Sequence, residues 1–368
     1  MPVFMDLHIG QGLTAEDVAR AHQLDLKYQD RFCCKCLTYW IDEIRGNAYC
    51  LIEAPDKNAV YELHRKAHEQ MPDEIIEVDK RVIKAFLGRI HDPEIVDYII
   101  DQKIKVFNDP AFRVVLMVTR KDRISLETEL GKDKSEEQLR KAEGTIRSLI
   151  EKNLGVASEE EGDELVATFD SAIQAVSCAI DIHKFLESRF PVLGIKVGIH
   201  AGNPVEKGER LFGSTIRFAR FLCHSAEKEI AISNTVHHLL KSANSESVLT
   251  GNSFIQTISE DDEEFVTELL KIFEENWQNS DFQIEDCQKA MGRSKSQLYR
   301  RCTQATGVSA NRLLRDFRLH RAKQLLLDKN FNIAQTAFEC GFNSRSYFTK
   351  CFQKKFDLKP QRFADERN

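Results

Sequence analysis

Residues 282–301 and 331–350 follow one pattern, and that pattern limits the chain more than any other stretch does. Each copy opens on an aromatic residue, Phe282 or Phe331, and continues as a short helix over 284–290 or 333–339. A glycine follows where the chain must turn, Gly292 in one copy and Gly341 in the other. A Ser/Asn helix start then leads into a second helix whose outer face is Arg, Lys, Gln, Ser and Thr. Such a pair is a helix-turn-helix. In that geometry the second helix enters a major groove with its first side chains against base edges.

A longer helix joins the copies. From 310 to about 328, Leu313, Leu314, Phe317, Ala322 and Leu325 form an apolar seam, with Arg312, Arg315, Arg318 and Arg321 around it. At 1.5 Å per residue it spans ~28 Å. A rigid spacer of that length can hold two reading helices about one DNA turn (~34 Å) apart. Phe265, Leu269, Phe273 and Trp277 recur every four residues, so a lead helix offers one stripe to the same core.

Residues 265–368 resemble the DNA-binding domain of the AraC/XylS family of bacterial transcription regulators. Gly341 suits that family's turn, Phe342, Phe348, Phe352 and Phe356 suit its core, and Pro360 starts its closing helix. The resemblance implies a sequence-specific regulator that binds double-stranded DNA, as a homodimer and in contact with RNA polymerase. Base contacts are expected from Ser294, Lys295, Gln297 and Arg301 in the first reading helix, and from Ser344, Arg345, Ser346 and Thr349 in the second. Arg forks onto guanine and Gln onto adenine, each contact worth ~1–3 kcal/mol of discrimination. Arg300, Lys350, Lys354 and Lys355 either touch phosphates or solvate a face.

Charge divides the same way. From Phe265 onward there are 19 Lys+Arg and 12 Asp+Glu, a balance of +7; the totals of 52 and 58 leave −13 for the first 264 residues. A basic module favours phosphates, and an acidic body discourages indiscriminate spreading along DNA. With 368 residues, two or three domains are expected. The spans read as 1–91, 110–256 and 264–368, with a connector over 92–110 and, over 259–264, an acidic linker and cap before the helical domain. The N-terminus shows no signal-peptide pattern, no run approaches the ~20 apolar residues of a membrane helix, and the ten cysteines suggest no disulfide framework. A cytoplasmic protein is expected.

Strand-like runs at 112–118 and 162–169, a helix from Ser171, and then the segments 195–202, 211–220 and 229–233 predict an α/β middle domain. In order and spacing, 112–240 resembles the class III adenylate/guanylate cyclase catalytic domain. That family uses two Asp for metal ions; Thr119 stands at the first position and Asp163 at the second. Glu159 replaces the purine-selecting Lys, Arg210 the purine-contacting Asp, and Arg217 and Phe221 the ribose-orienting Asn and the transition-state Arg. The resemblance therefore implies a scaffold without cyclase activity, either dimerising or holding a reshaped small-molecule pocket. Arg210 and Arg217 are left to face an anion, solvent or the Glu run at 159–161.

The first domain reads βαββαβ: strand 3–9, a helix from Thr14 with a capping pattern, a hairpin over 36–42 and 48–53, a helix from 55 to about 71, and a strand over 75–78. That order predicts a ferredoxin-like α+β sandwich. Phe4 to His8, Thr14 to Ala19, Ala21-His22, Tyr39 to Asp42, Cys50 to Pro55 and His64 to His68 resemble a small family of bacterial nickel-binding proteins of that fold. His64 and His68, at i and i+4 on one helix face, can chelate a transition metal such as nickel. His8, His22, Cys36 and Cys50 are further candidates. Val60, Leu63 and Ala67 share that helix, so a core role for either histidine stays open. A metal-storage or metal-sensing protein and a nucleotide cyclase are the rival classes.

Overall fold

The computed structural model describes residues 1–368 apart from 102, 122, 159–163, 226, 327–330, 357 and 366–368. The N-terminal elements are β1 (Val3–Ile9), α1 (Ala15–Tyr28), β2 (Lys35–Asp42), β3 (Asn47–Glu53), α2 (Lys57–Ala67), β4 (Glu74–Val78) and α3 (Lys80–Leu87). Their first six realise the βαββαβ order. Capping explains where the helices start: Thr14 and Asp17 form a reciprocal capping box on α1, and Asp56 and Asp79 cap α2 and α3. The four strands are antiparallel in the order β2-β3-β1-β4.

Both faces of this sheet are buried, which is why β2 runs apolar nearly throughout instead of alternating. One face, with Phe4, Tyr39, Ile41, Cys50 and Ile52, lies under α1 and α2. The other, with Met5, Trp40, Tyr49 and Leu51, packs on α3 and on Val115, Met117 and Ala219 of the next unit. The connector is itself folded. Strands β5 (Tyr98–Ile100) and β6 (Ile104–Val106) form a hairpin, and Phe107 stacks on Tyr39 with ring centroids 4.1 Å apart.

The middle unit runs β7 (Arg113–Thr119), α4 (Arg123–Leu130), α5 (Lys132–Lys152), β8 (Val156–Ala157), β9 (Glu164–Phe169), α6 (Ala172–Arg189), β10 (Lys196–Gly202), α7 (Gly213–Ser225), β11 (Ile230–Ile232), α8 (Asn234–Ser242) and β12 (Ile255–Thr257). Its sheet has the order β12-β11-β10-β7-β9-β8, parallel from β10 to β12 and antiparallel elsewhere. Period-2 alternation splits β7: Val114, Leu116 and Val118 enter the unit's own core, while Val115 and Met117 meet the N-terminal sheet.

The remaining elements are helical: α9 (Glu260–Asn276), α10 (Ile284–Ala290), α11 (Lys295–Thr306), α12 (Ala310–Leu325), α13 (Ile333–Glu339), α14 (Arg345–Phe356) and α15 (Pro360–Asp365). The 259–264 stretch expected as acidic linker and cap does cap the helical domain, with Ser259 as the N-cap of α9, but Glu260 to Glu263 form the first turn of that helix and not a linker. Carboxylates are stabilised there by the helix dipole, so the acidic run begins the helix that it was expected to precede. Helix α12 ends at Leu325, giving a rod of ~24 Å; Asp328 lies outside the described residues. No helix among the described residues is long and apolar enough to cross a membrane, and all ten cysteines carry free thiols.

Candidate metal centre and nucleic-acid interface

Strand β1 carries Asp6 and His8 on the face under the helices, since side chains two apart share a side. Helix α1 supplies Asp25, and the last turn of α2 supplies His64, with His68 as its C-cap. The five converge. His64 Nε2 lies 2.8 Å from Asp6 Oδ2, and its Nδ1 lies 2.9 Å from His68 Nε2 and 3.4 Å from Asp25 Oδ1. His68 Nε2 is 3.3 Å from Asp25 Oδ1, and His8 Nε2 is 3.5 Å from Asp6 Oδ1.

Asp6, Asp25 and His64 are each no more than 1% exposed, so their charges must answer one another. Burial alone would lower the His64 pKa; the Asp6 and Asp25 carboxylates outweigh it and raise it to about 10. Burial would raise both aspartates, yet His8 and His64 hold Asp6, and His64 and His68 hold Asp25, below the usual carboxylate range. Asp25 Oδ1 is buried without a well-formed hydrogen bond. Three imidazoles and two carboxylates around such an oxygen are a donor set suited to a divalent transition metal.

The expected ligands divide. His8, His64 and His68 come together. His22 does not: it sits 3.5 Å from Asp92 and beside Tyr39. Cys50 pairs with Asp6 across β1 and β3, and its backbone N–H donates to Asp6 Oδ1. Burial first, then the nearby Asp6 and Asp25 charges, pushes the Cys36 and Cys50 thiols far above their usual range, so both are neutral. Neither sulfur belongs to the two ligand groups found here, Asp6-His8-His64 and Asp25-His64-His68. Sequence reasoning missed both aspartates. A carboxylate at the centre of an otherwise apolar strand, two residues before His8, was the available signal for Asp6.

At the other end, both reading helices present their first turns outward. Ser294, Lys295, Gln297 and Arg300 on α11, and Ser344, Arg345, Ser346 and Lys350 on α14, are exposed; Thr349 is half-buried. Ser294 and Gln297 are tied into a reciprocal capping box, with Ser294 N–H donating to Gln297 Oε1 at 2.8 Å. Ser344 Oγ accepts from the Tyr347 backbone N–H. Arg301 turns inward, paired with Asp262 and lying 5.1 Å from the Phe265 ring centroid. Lys355 pairs with Asp316 at 3.0 Å. Gly292 and Gly341 both take the left-handed conformation that the turns require.

Among the cyclase-like positions, Thr119 is buried at the end of β7, opposite Glu164 and Lys196. Arg217 forks onto Glu209 and reaches Glu274; the 159–161 run lies outside the described residues. Phe221 is core, and Arg210 is exposed before α7. Glu159 and Asp163 lie outside the described residues.

Residues 287–366 match the family described as "Helix-turn-helix domain", and residues 4–78 match "Nickel responsive protein SCO4226-like". Histidine kinase P4 of Formosa agariphila is 36% identical over 30% of this chain and 8% of its own length. An uncharacterised HTH-type transcriptional regulator from Pseudoalteromonas carrageenovora is 31% identical over 27% of this chain and 58% of its own. The chain thus spans less than two thirds of these relatives. The crystal structure of SCO4226 from Streptomyces coelicolor is 38% identical over 21% of this chain and 94% of that one, with a TM-score of 0.20. This chain therefore carries a helix-turn-helix domain of AraC type near one end and an SCO4226-like domain near the other.

Proposed function

We propose that the chain is a sequence-specific DNA-binding transcription regulator whose N-terminal body senses a divalent transition metal, nickel being the first candidate. The observation that carries the DNA reading is the pair of outward, cation-bearing first turns on α11 and α14. On this reading Lys295, Ser344, Arg345, Ser346 and Thr349 meet bases, and Arg300 and Lys350 meet phosphates. Ser294 and Gln297 serve first as caps, and Arg301 positions α11 against α9. Work as a homodimer and contact with RNA polymerase belong to the same reading.

Selection of bound sequences from a random duplex pool, followed by footprinting, tests it. Protection of two neighbouring major-groove segments is expected, with affinity falling steeply as salt rises. A footprint one groove wide, or no preferred sequence, would overturn it.

His8, His64, His68, Asp6 and Asp25 would hold the metal, which when bound would supply positive charge where the structure now relies on protonated imidazole. Support comes from the convergence of these side chains under α1 and α2, in a unit read as a ferredoxin-like sandwich. Equilibrium dialysis of the full chain against NiCl2 should give one ion per chain, lost in His64→Ala and in His68→Ala. Unchanged stoichiometry in both variants would remove the metal from the proposal. The middle unit is read as a cyclase-like scaffold without catalysis, because Arg217 is bound to Glu209 and Phe221 is committed to the core. Cyclic nucleotide formed from ATP or GTP with Mg²⁺ or Mn²⁺ would overturn that reading.

A further inference from the structure

Between the middle unit and the DNA-binding helices lies a cleft of about 910 Å³, in the size range of small-molecule sites. One wall comes from β9 and α7, the other from α9 and α12. Its floor is apolar, with Phe221, Leu270, Trp277, Leu313 and Phe317. Seven Lys and Arg line it against three carboxylates, Glu164, Glu227 and Asp316. Glu209 and Glu274 stand behind it and engage Arg217 and Arg321. Among the described residues the cations of the lining outnumber its acids, and Arg210 and Arg312 stand exposed at the mouth.

A second observation points the same way. His320, on α12, has its Nε2 buried with no hydrogen-bond partner, and its ring lies 4.2 Å from that of His224. Burial first, then the charges of His224, Lys355, Lys323 and Arg220, holds His320 well below the usual imidazole range. An unpartnered imidazole nitrogen thus lies in the cation-rich wall of the cleft. Glu164, His224 and His320 have the spacing of a metal group. Arg220 Nε, however, already donates to Glu164 at 2.9 Å, and the surrounding cations oppose another.

We infer that this cleft binds a small amphipathic organic anion, its apolar body on the Leu270–Phe317 floor and its acidic group among the arginines. Such a ligand would bridge α7 and α12, the rod that spaces the two reading helices, and so would bias their placement. That coupling rests on the proposed DNA reading; occupancy of the cleft does not.

The test uses two fluorescent probes of nearly the same body, 8-anilinonaphthalene-1-sulfonate and the neutral N-phenyl-1-naphthylamine, titrated into the full chain. One saturable sulfonate site is expected, about tenfold tighter than the neutral probe, as for one charge-assisted contact. In the Arg210→Glu/Arg312→Glu double variant, made at exposed positions, that advantage should vanish while the neutral probe is unaffected. Equal binding of the two probes, unsaturable binding, or an unchanged variant would overturn the site. With an operator duplex present, sulfonate and DNA should shift each other's affinity by the same factor. An intact sulfonate site with no such shift would overturn the coupling alone.

Discussion

The first helix-turn-helix unit shares a core with the middle unit, whereas the second closes a core of its own. Phe218, Phe221 and Leu222 of α7 pack with Phe265, Phe273, Leu298 and Cys302, so α11 is continuous with the body. Around α14, Phe342, Phe348, Phe352 and Phe363 pack with Leu319 and Ala322 of α12, and Trp277 is the earliest residue in the chain among those described in this core. Arg318 is the tie between the halves: its Nε donates to the Trp277 carbonyl at 2.9 Å and its Nη2 to the Asn279 carbonyl at 2.7 Å. Two units of one pattern can thus answer differently to events in the body, the first directly and the second through a rod.

The largest test of that contrast is a cavity in each core. Phe348 and Phe273 are both fully buried, and truncating either to Ala should cost ~3–5 kcal/mol. In Phe348→Ala, hydrogen exchange should rise across α13 to α15 while the sheets stay protected. In Phe273→Ala it should rise in α7 and α11 together. Uniform loss of protection in both variants would show one cooperative block and erase the distinction.

A glycine comparison sharpens it. Both turn glycines have positive φ, but a Cβ on Gly341 would lie 2.4 Å from the Trp277 carbonyl oxygen, while one on Gly292 would meet nothing within 4 Å. Gly292→Ala should cost about 1 kcal/mol from backbone conformation alone. Gly341→Ala adds a clash against backbone and should cost about 3 kcal/mol. Urea denaturation of the two variants measures the gap, and equal midpoints would show that the second turn is not wedged against α9.

How much of this was legible follows from what each signal depends on. The βαββαβ order, the capping box at Thr14 and Asp17 and both glycine turns rest on local chemistry, and they read directly. The Phe342, Phe348 and Phe352 core read equally well, because helical period alone aligns those rings. His64 and His68 were visible as an i,i+4 pair, but Asp6 and Asp25 reach them only through sheet register and the packing of α1 against α2. Helices α3 and α5 went unread. In the 259–264 run the cap was legible in Ser259, but Glu260 to Glu263 read as linker because high charge marks exposed first turns as well as loops. Arg301, Arg318 and Arg321 looked like surface cations until α9 and the turn after it gave them partners, which no spacing along the chain reveals.

Acid should loosen the seam between body and first unit. His200, on β10, faces the Phe218 ring at 4.5 Å and lies 3.7 Å from Glu263 of α9. Burial lowers its pKa to about 3, against an unfolded value near 6.5. A base whose folded pKa is depressed is protonated more readily when unfolded. Stability is therefore complete above roughly pH 6.5 and declines as pH falls toward 3, by about 2 kcal/mol on reaching pH 5. Burial shifts His224 and His320 the same way at the same seam. Denaturation at pH 7 and pH 5 should show this slope, reduced in His200→Gln; an unchanged slope in that variant would assign the acid sensitivity elsewhere.

The smallest effect separates reading from holding. Arg345 begins α14 with its side chain exposed, while Arg301 is half-buried against Asp262 on α9. A single exposed base contact sits at the low end of ~1–3 kcal/mol, so Arg345→Ala should weaken binding by about 1 kcal/mol and relax preference at one base pair. The Arg301–Asp262 pair is partly solvated and worth under about 1 kcal/mol. Arg301→Ala should lower the melting temperature slightly and weaken all sequences alike. Binding of the selected operator and its single-base variants would distinguish the two. If Arg301→Ala changes base preference while Arg345→Ala does not, then α11 must leave its contact with α9 to reach DNA, and the first unit is the mobile one.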